Sequence, residues 1–334
     1  MASLQIPLAL WKDNLDLNVS SFLVVSELNW LFLGLRTGRM LQVELAPCME
    51  SAQISRFFIG HTTPIKSILL TTQPSDQSLD DTPTLVSLDE NGGVALWNTE
   101  DGRCLLHNVM AIDGGAMGMC LSSGGNYAFL YGRTPFVNVI RLSTLEVVQS
   151  IPLRESIWVV DAMVRPFNEE RDELILVSTS GKETLKIHFD AQTAKALSTS
   201  SLFFASPSMV VVRRIAIHKG KYYISDGQSI WSWTFETDMS DPLLLWRDTK
   251  QSIADFLIFN DDLVLLLFDG SLIRLQNNQI VDKIKVPDEA VLNKYSKLIL
   301  WKDDPYAVSF PPTALRVFGL KQREEVTLDW MKGT

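Results

Sequence analysis

Short apolar segments recur along the whole chain and alternate with turns, and this recurrence restricts the possible folds more than any other feature. The segments are rich in Val, Ile, Leu and aromatic residues and are bounded by Gly, Asp, Asn, Ser and Pro, which is typical of β-strands. Groups of four segments repeat at intervals of about 40–50 residues, close to the period of four-stranded propeller blades. Helical periodicity is almost absent. We therefore predict an all-β fold.

Seven groups of segments can be distinguished, which predicts a single seven-bladed β-propeller over residues 1–334, with four antiparallel strands per blade. The predicted blades cover approximately residues 15–59, 60–110, 115–152, 157–202, 208–248, 252–287 and 290–330. In the sixth blade we expect Asp269-Gly270 to form a hairpin turn and to supply its positive φ angles. Acidic segments 72–83 and 168–172 are predicted insertions between first and second strands. Counts of six or eight blades remain alternatives.

The predicted ring has to be closed, because an open array would leave two apolar blade faces in water. Segment 4–11 is an apolar strand candidate that precedes the first group. We predict that this N-terminal strand closes the last blade as its outer strand, beside Leu315–Gly319. Glu325–Leu328 would then be a tail or an additional strand. Loss of a closing strand would expose apolar area at a cost of about 25 cal/mol per Å².

Charge and cysteine content limit the classes of partner and compartment. The 334 residues carry a formal charge of −9, and their basic residues form only short clusters, so we expect no nucleic-acid partner. The three cysteines, Cys48, Cys104 and Cys120, are an odd number without close pairing, which favours a reducing compartment. The N-terminus lacks the pattern of a signal peptide. The apolar run 263–268 is too short to cross a bilayer. We therefore expect a cytoplasmic protein without a transmembrane segment.

One repeat carries a recognisable structural signature. Gly60-His61 precedes it, and Asn91 lies in the turn before the strand that ends at Trp97-Asn98. In WD-repeat propellers a Gly-His pair, a turn acid and a Trp-Asp pair occupy these positions, so the predicted fold is WD40-like. We predict a structural role for His61, Asn91 and Trp97, with Asn91 in place of the acid. Metal ligation or general-base chemistry by His61 is the alternative.

Other candidate motifs predict no catalytic, cofactor-binding or metal-binding residue. Residues 181–184 lack the earlier glycine of a phosphate loop and precede a strand, which indicates a β-turn. The remaining histidines have no metal-ligand spacing, and no nucleophile motif is present. Trp231 and Trp233 lie at strand spacing and are expected in the core. Phe203-Phe204 is expected to be core or tucked under a loop, with a partner anchor as the alternative.

Several segments together resemble the N-terminal propeller of the rabconnectin-3 beta family. The resemblance covers roughly the first 190 residues and lies in segments 6–11, 60–61, 90–105, 143–150, 157–159, 176–181 and 185–187. It implies a non-catalytic subunit of a complex that regulates assembly of the vacuolar-type proton ATPase and organelle acidification. It further implies large helical-repeat or WD-repeat partners, the proton ATPase itself as a partner, and peripheral association with endosomal, vacuolar or vesicle membranes.

Composition and motifs leave three function classes. The first is a protein-interaction scaffold, which is the class that the resemblance implies. The second is a substrate receptor of a ubiquitin ligase, or an adaptor in a trafficking complex. The third is a propeller hydrolase, which would need acids and histidines gathered over the central channel.

Overall fold

The computed structural model of the chain describes most of its residues. The described residues are 18–46, 52–71, 83–113, 115–153, 158–168, 170–178, 183–203, 214–234, 242–285, 297–302, 304–309, 315–319 and 325–328. Side chains are not described at positions 178, 183, 201–203, 304, 309, 315–319 and 325–328. Phe203 therefore has a described backbone only, and Phe204 lies outside the described residues, so their predicted role remains a prediction.

Twenty-eight strands and one short 3-10 turn, Ser26–Leu28, occur within the described residues. The strands of sheets 1 to 4 are β1 Val19–Val25, β2 Trp30–Leu35, β3 Met40–Leu45, β4 Ala52–Phe58, β5 Ile65–Thr71, β6 Thr84–Asp89, β7 Val94–Asn98, β8 Cys104–Asn108, β9 Ala116–Leu121, β10 Tyr127–Gly132, β11 Phe136–Arg141, β12 Glu146–Pro152, β13 Val159–Pro166, β14 Arg171–Ser178, β15 Glu183–Asp190 and β16 Lys195–Phe203. Those of sheets 5 to 7 are β17 Arg214–His218, β18 Lys221–Ser225, β19 Ser229–Thr234, β20 Leu243–Arg247, β21 Ile253–Phe259, β22 Asp262–Leu267, β23 Ser271–Gln276, β24 Gln279–Lys285, β25 Lys297–Trp301, β26 Asp304–Ser309, β27 Leu315–Gly319 and β28 Glu325–Leu328.

Each sheet consists of four consecutive strands paired in chain order, and every pairing within the described residues is antiparallel. The predicted all-β propeller with four antiparallel strands per blade is thereby confirmed. The first six sheets have most of their side chains described, and the seventh is described in part. This up-and-down pattern lets neighbouring strands connect through short turns.

The second strand of each sheet is buried on both faces, which explains why these strands are almost continuously apolar. In β10, Phe129 packs into one hydrophobic cluster with sheet 4, whereas Ala128 and Leu130 pack into another with sheet 2. The alternation follows from the two-residue period of a strand, which directs successive side chains to opposite faces. Each fully buried Leu or Phe contributes roughly 1.5–3 kcal/mol through the hydrophobic effect. Packing between sheets therefore holds the molecule together.

Seven hydrophobic clusters formed by described residues join successive sheets. Six connect each sheet to the next in the chain, from sheets 1 and 2 through to sheets 6 and 7. The seventh brings Trp301, Tyr306 and Val308 of sheet 7 together with Leu33 and Val43 of sheet 1. The last sheet thus packs against the first.

The predicted closing strand requires one correction. Segment 4–11 lies outside the described residues, so closure by an N-terminal strand remains a prediction. The place directly beside Leu315–Gly319, however, is taken by Glu325–Leu328, because Leu315 pairs with Leu328 and Phe318 with Glu325. The other edge of β27 pairs with β26. The neighbour predicted for the N-terminal strand is therefore wrong, and Glu325–Leu328 is the fourth strand of its sheet.

The tight hairpins reflect local turn chemistry. Asn260-Asp261 and Asn277-Asn278 each connect two strands with positive φ at both residues, as a two-residue hairpin requires. Asn and Asp tolerate this region better than most residues. The predicted turn at Asp269-Gly270 is present between β22 and β23, but only Gly270 has a positive φ, of 84°. Asp269 instead accepts the backbone N–H of Ser271 through its carboxylate.

Candidate interaction face

The signature repeat contains a buried chain of hydrogen bonds. It joins strands β6 and β7 of sheet 2 to the loop that precedes β5. The indole Nε1–H of Trp97 donates to Ser87 Oγ at 2.8 Å, and Ser87 Oγ lies 2.7 Å from His61 Nε2. His61 Nδ1 lies 3.0 Å from Asp89 Oδ2. Because an indole can only donate, the Ser87 hydroxyl is free to donate to Nε2, which places the histidine proton on Nδ1 facing Asp89. His61 and Trp97 thus belong to one buried chain of hydrogen bonds, and their structural role remains a prediction.

The acid in this chain is Asp89, and the prediction of Asn91 for that position is wrong. Asn91 lies in the exposed turn between β6 and β7. Asp89 is the last residue of β6, two residues after Ser87, so both side chains point to the same face of the strand. Burial alone would raise the pKa of Asp89, but hydrogen bonds from His61 and from the Gly93 backbone N–H outweigh it and lower that pKa.

Because strands alternate in direction, two kinds of loop lie on the same side of the propeller. These are the loops that lead from one sheet into the next and the turns between second and third strands; we call this side the entry face, because every first strand begins there. Hydrogen bonds connect the two kinds of loop. Ala111 N–H donates to Gly92 O at 2.9 Å, and Ile253 N–H donates to Gly227 O at 2.8 Å. At these two places, the loop between two sheets is therefore held against the turn of the preceding sheet.

Among the described residues, four large apolar side chains are exposed on the entry face at the successive junctions of sheets 1 and 2, 2 and 3, and 3 and 4. This apolar arc consists of Ile59, Val109, Met110 and Trp158, of which Val109 is 75% exposed and Met110 65%. Soluble proteins usually bury such residues, and exposed groups of them often mark contact surfaces. Phe268 is also exposed on this face, in the turn of sheet 6.

Val109 and Met110 are held outward by the residues on either side of them. The side chain of Asn108 accepts the backbone N–H of Met110 at 3.0 Å and donates to Leu145 O at 2.8 Å. On the other side, Ala111 and Ile112 are buried in the cluster between sheets 2 and 3. The short connection between these anchors leaves its two apolar side chains in solvent.

Arg133 lies beside Trp158, the member of the apolar arc at the junction of sheets 3 and 4. The guanidinium carbon of Arg133 lies 5.7 Å from the centre of the Trp158 ring, a cation–π distance. Trp158 is 47% exposed. Trp, Met and Arg are enriched in protein interfaces, and Trp and Arg often contribute most of the binding energy.

The central channel opens on the entry face as a cavity of about 580 Å³. It is lined by residues of the first strands, among them Ser20, Lys66, Cys120, Asp161, Arg214 and Lys297. Asp161 accepts the backbone N–H of Ile215 at 3.0 Å, and Asp255 accepts that of Leu298 at 2.8 Å. Each of these aspartates therefore ties one first strand to the first strand of the following sheet.

Burial perturbs several of the channel groups. It raises the pKa of Asp161, against the opposing effects of the Ile215 N–H and the charge of Arg214. It lowers the pKa of Lys297 to about 8, assisted by the charge of Arg214 and opposed by that of Asp161. Burial also raises the pKa values of the Cys120 thiol and the Tyr131 hydroxyl.

The sequence-based predictions did not include the channel residues. A detectable signal was a polar residue at the third position of several first strands, namely Ser21, Ser67, Asp161 and Asp255. In each of these strands the pairing shifts by one residue just before that position, as in a β-bulge.

The other predicted candidates are dispersed. Trp231 and Trp233 are buried in the cluster between sheets 4 and 5, which confirms their prediction as core. His218 pairs with Asp261 at the opposite end of sheet 5, and His188 lies near Glu173 in sheet 4. Of the predicted turn at 181–184, residues 181 and 182 lie outside the described residues, and Glu183 and Thr184 belong to strand β15 instead.

A second buried polar group lies between sheets 4 and 5. Glu173 accepts hydrogen bonds from the Arg165 guanidinium and, at 2.9 Å, from the Tyr222 hydroxyl. Burial would raise its pKa, but these two donors lower it.

Within the described part of the chain, no histidine lines the channel cavity and no group of three potential metal ligands occurs. In the same residues, no helix is long and apolar enough to cross a membrane.

Solved structures with a similar fold include two β-propellers. The β-propeller domain of Cps50 (Swd1) from Myceliophteria thermophila matches with a TM-score of 0.62 and 12% identity, over 93% of this chain and 97% of that chain. The WD40 repeats of RRP9 match with a TM-score of 0.58 and 15% identity, over 82% of each chain. No protein-family model and no curated protein sequence matches the chain. These similarities show the fold, which is a β-propeller.

Proposed function

We propose that this protein is a non-catalytic scaffold that binds another protein through the apolar arc of its entry face. The observation that carries the proposal is the exposure of Ile59, Val109, Met110 and Trp158 on one side of a rigid propeller. The loop anchors at Asn108 and Ala111 hold this surface in place before binding. A preorganised apolar surface loses little conformational entropy when it binds, which favours affinity.

The hydrogen bonds of four acids, Asp89, Asp161, Glu173 and Asp255, also support a scaffold. Asp89 is committed to His61, Asp161 and Asp255 to backbone N–H groups of the next sheet, and Glu173 to Arg165 and Tyr222. Each of these carboxylates connects strands or sheets. A general acid or base has to keep its proton available to a substrate.

The resemblance to the rabconnectin-3 beta family supports a more specific proposal. Its described segments fall in the first four sheets, which also carry the apolar arc, whereas segment 6–11 lies outside the described residues. We propose that the partner is a large helical-repeat or WD-repeat subunit of a complex that regulates assembly of the vacuolar-type proton ATPase and organelle acidification. The protein would then act in the cytoplasm, at the periphery of endosomal, vacuolar or vesicle membranes.

The test is affinity capture from cell extract followed by mass spectrometry, with the wild-type chain compared with a Met110→Asp, Trp158→Ala double variant. Both side chains are exposed, so the variant should keep its melting temperature while losing the captured partner. Leu28→Asp is the matched control, because Leu28 is an exposed apolar residue in the turn between β1 and β2, on the opposite face.

The identity of the captured proteins separates the remaining function classes. Proton-pump subunits or a helical-repeat partner would support the specific proposal. Cullin adaptors or coat subunits would support a ubiquitin-ligase receptor or a trafficking adaptor and would contradict the pump assignment. Equal capture by the wild type and the double variant would contradict the assignment of the binding surface to the apolar arc.

A further inference from the structure

Two cations lie together where the channel opens beside sheets 5, 6 and 7. Arg214 is the first residue of β17 and Lys297 the first residue of β25, so both are at the entry-face end of their strands. They line the central cavity and also an adjoining cavity of about 220 Å³. The smaller cavity is further lined by Ser225, Asp255 and Phe256. Its volume corresponds to roughly seven water molecules.

Some of the charged side chains around the central cavity form ion pairs, and others do not. Lys66 pairs with Glu90 at 3.0 Å, and Arg214 pairs with Asp255. Asp161, the remaining acid of the cavity, accepts backbone N–H groups of Ile215 and Ala162.

Within the described part of the chain, Lys297 has no hydrogen-bonded or ion-paired side-chain partner. It is only partly exposed to solvent, and an ammonium group in such surroundings loses part of its hydration, which a nearby negative charge can compensate.

The depressed pKa of Lys297, about 8, reflects the same imbalance, since burial and the positive charge of Arg214 both disfavour its ammonium form. Asp161 acts in the opposite direction but does not restore the ordinary value. Burial likewise raises the pKa of Asp161, against the opposing charges of Arg214 and Lys297. A negatively charged ligand next to Lys297 would favour its ammonium form.

We propose that the cavity between Lys297 and Arg214 binds the phosphate group of a small molecule or free inorganic phosphate. The Lys297 ammonium would provide the main charge, and the free N–H groups of the Arg214 guanidinium would provide directed hydrogen bonds. Ser225 adds a donor, because its Oγ accepts the Gly227 N–H and its hydroxyl hydrogen remains available. The whole chain carries a formal charge of −9, so general attraction for anions does not account for such binding. This inference does not depend on the proposed scaffold function.

Isothermal titration calorimetry of the full chain tests the site, with inorganic phosphate and glycerol 3-phosphate as probes at pH 7 and low ionic strength. The wild type should bind with a stoichiometry of one, and Lys297→Met should weaken binding about tenfold or more, as expected for loss of a charged hydrogen-bond donor. Lys250→Met is the matched control, because Lys250 is exposed in the entry-face loop between sheets 5 and 6 and should leave binding unchanged. Tighter binding of glycerol 3-phosphate would identify a phosphate monoester as the ligand, and tighter binding of inorganic phosphate would identify the free anion.

A second variant keeps the test valid if Lys297→Met fails to fold. Sulfate has a constant charge near neutral pH, so its binding to the wild type should weaken between pH 7 and 9 as Lys297 loses its proton. Lys297→Arg should retain sulfate binding and lose this pH dependence, because an arginine stays protonated. The proposal would be overturned if the wild type bound none of the three anions at millimolar concentrations, if Lys297→Met bound as tightly as the wild type, or if the wild type and Lys297→Arg had the same pH profile.

Discussion

Replacement of Ser87 by alanine tests whether the Trp97–Ser87–His61–Asp89 chain stabilises the fold. Ser87 is completely buried. Among the described residues, it is the only one that is hydrogen-bonded to both Trp97 Nε1 and His61 Nε2. Without the hydroxyl, the indole N–H has no acceptor, which costs about 1–3 kcal/mol, and the lost bond to His61 adds about 1 kcal/mol. The space left by one oxygen is too small for a water molecule to replace it. We therefore expect the free energy of unfolding to fall by about 2–4 kcal/mol.

The assay is urea denaturation followed by circular dichroism at 25 °C, performed on a double-mutant cycle. Trp97→Phe removes the N–H group, so Ser87→Ala should cost at least about 1 kcal/mol less in that background than in the wild type. The slope of unfolding free energy against urea should be unchanged, because the native fold is retained. A loss below about 0.5 kcal/mol for Ser87→Ala, or strictly additive effects in the cycle, would refute the reasoning.

Two further predictions concern the same unit. Gly60→Ala should lower the free energy of unfolding by about 1–3 kcal/mol, since a Cβ there would lie 2.8 Å from the edge of the buried Trp97 ring. Gly124→Ala, where the nearest atom is 3.7 Å away, is the control for thermal unfolding, and equal effects at both glycines would contradict this account. Because the folded pKa of Asp89 lies below its usual value of 3.8, its contribution is complete above pH 3.8 and is lost as the pH falls through the folded pKa. Urea denaturation at several pH values should therefore show a shallower acid loss for Asp89→Asn than for the wild type, and parallel profiles would disprove the assignment.

The strands could be predicted from the sequence because, in a propeller, the burial of a strand determines which of its own residues are apolar. A second strand such as β22 contacts neighbouring sheets on both faces, so nearly all of its residues are apolar. Tight turns are equally local: Gly270 has the positive φ expected in its hairpin. These features depend on residues close in the chain, so a single sequence carries them.

The acid of the signature was misassigned because the motif was aligned on the turn instead of on the strand. The alternation of Ser87 and Asp89 along β6 would have placed both beside His61. The polar residues near the channel could not be predicted from the sequence, for a different reason. Arg214, Asp255 and Lys297 belong to three sheets and come together only through packing of those sheets, which no local spacing encodes.

The central structural claim is that the last sheet packs against the first, and contacts of the Trp301 side chain test it most directly. In a methyl-labelled sample, nuclear Overhauser effects should connect the Trp301 indole with methyl groups of the sheet 1 members of its cluster, such as Leu31, Leu33 and Val43. The Trp97 indole should show corresponding effects to Ile65 or Ile68 as an internal reference. Effects seen for Trp97 but absent between Trp301 and sheet 1 would contradict the account.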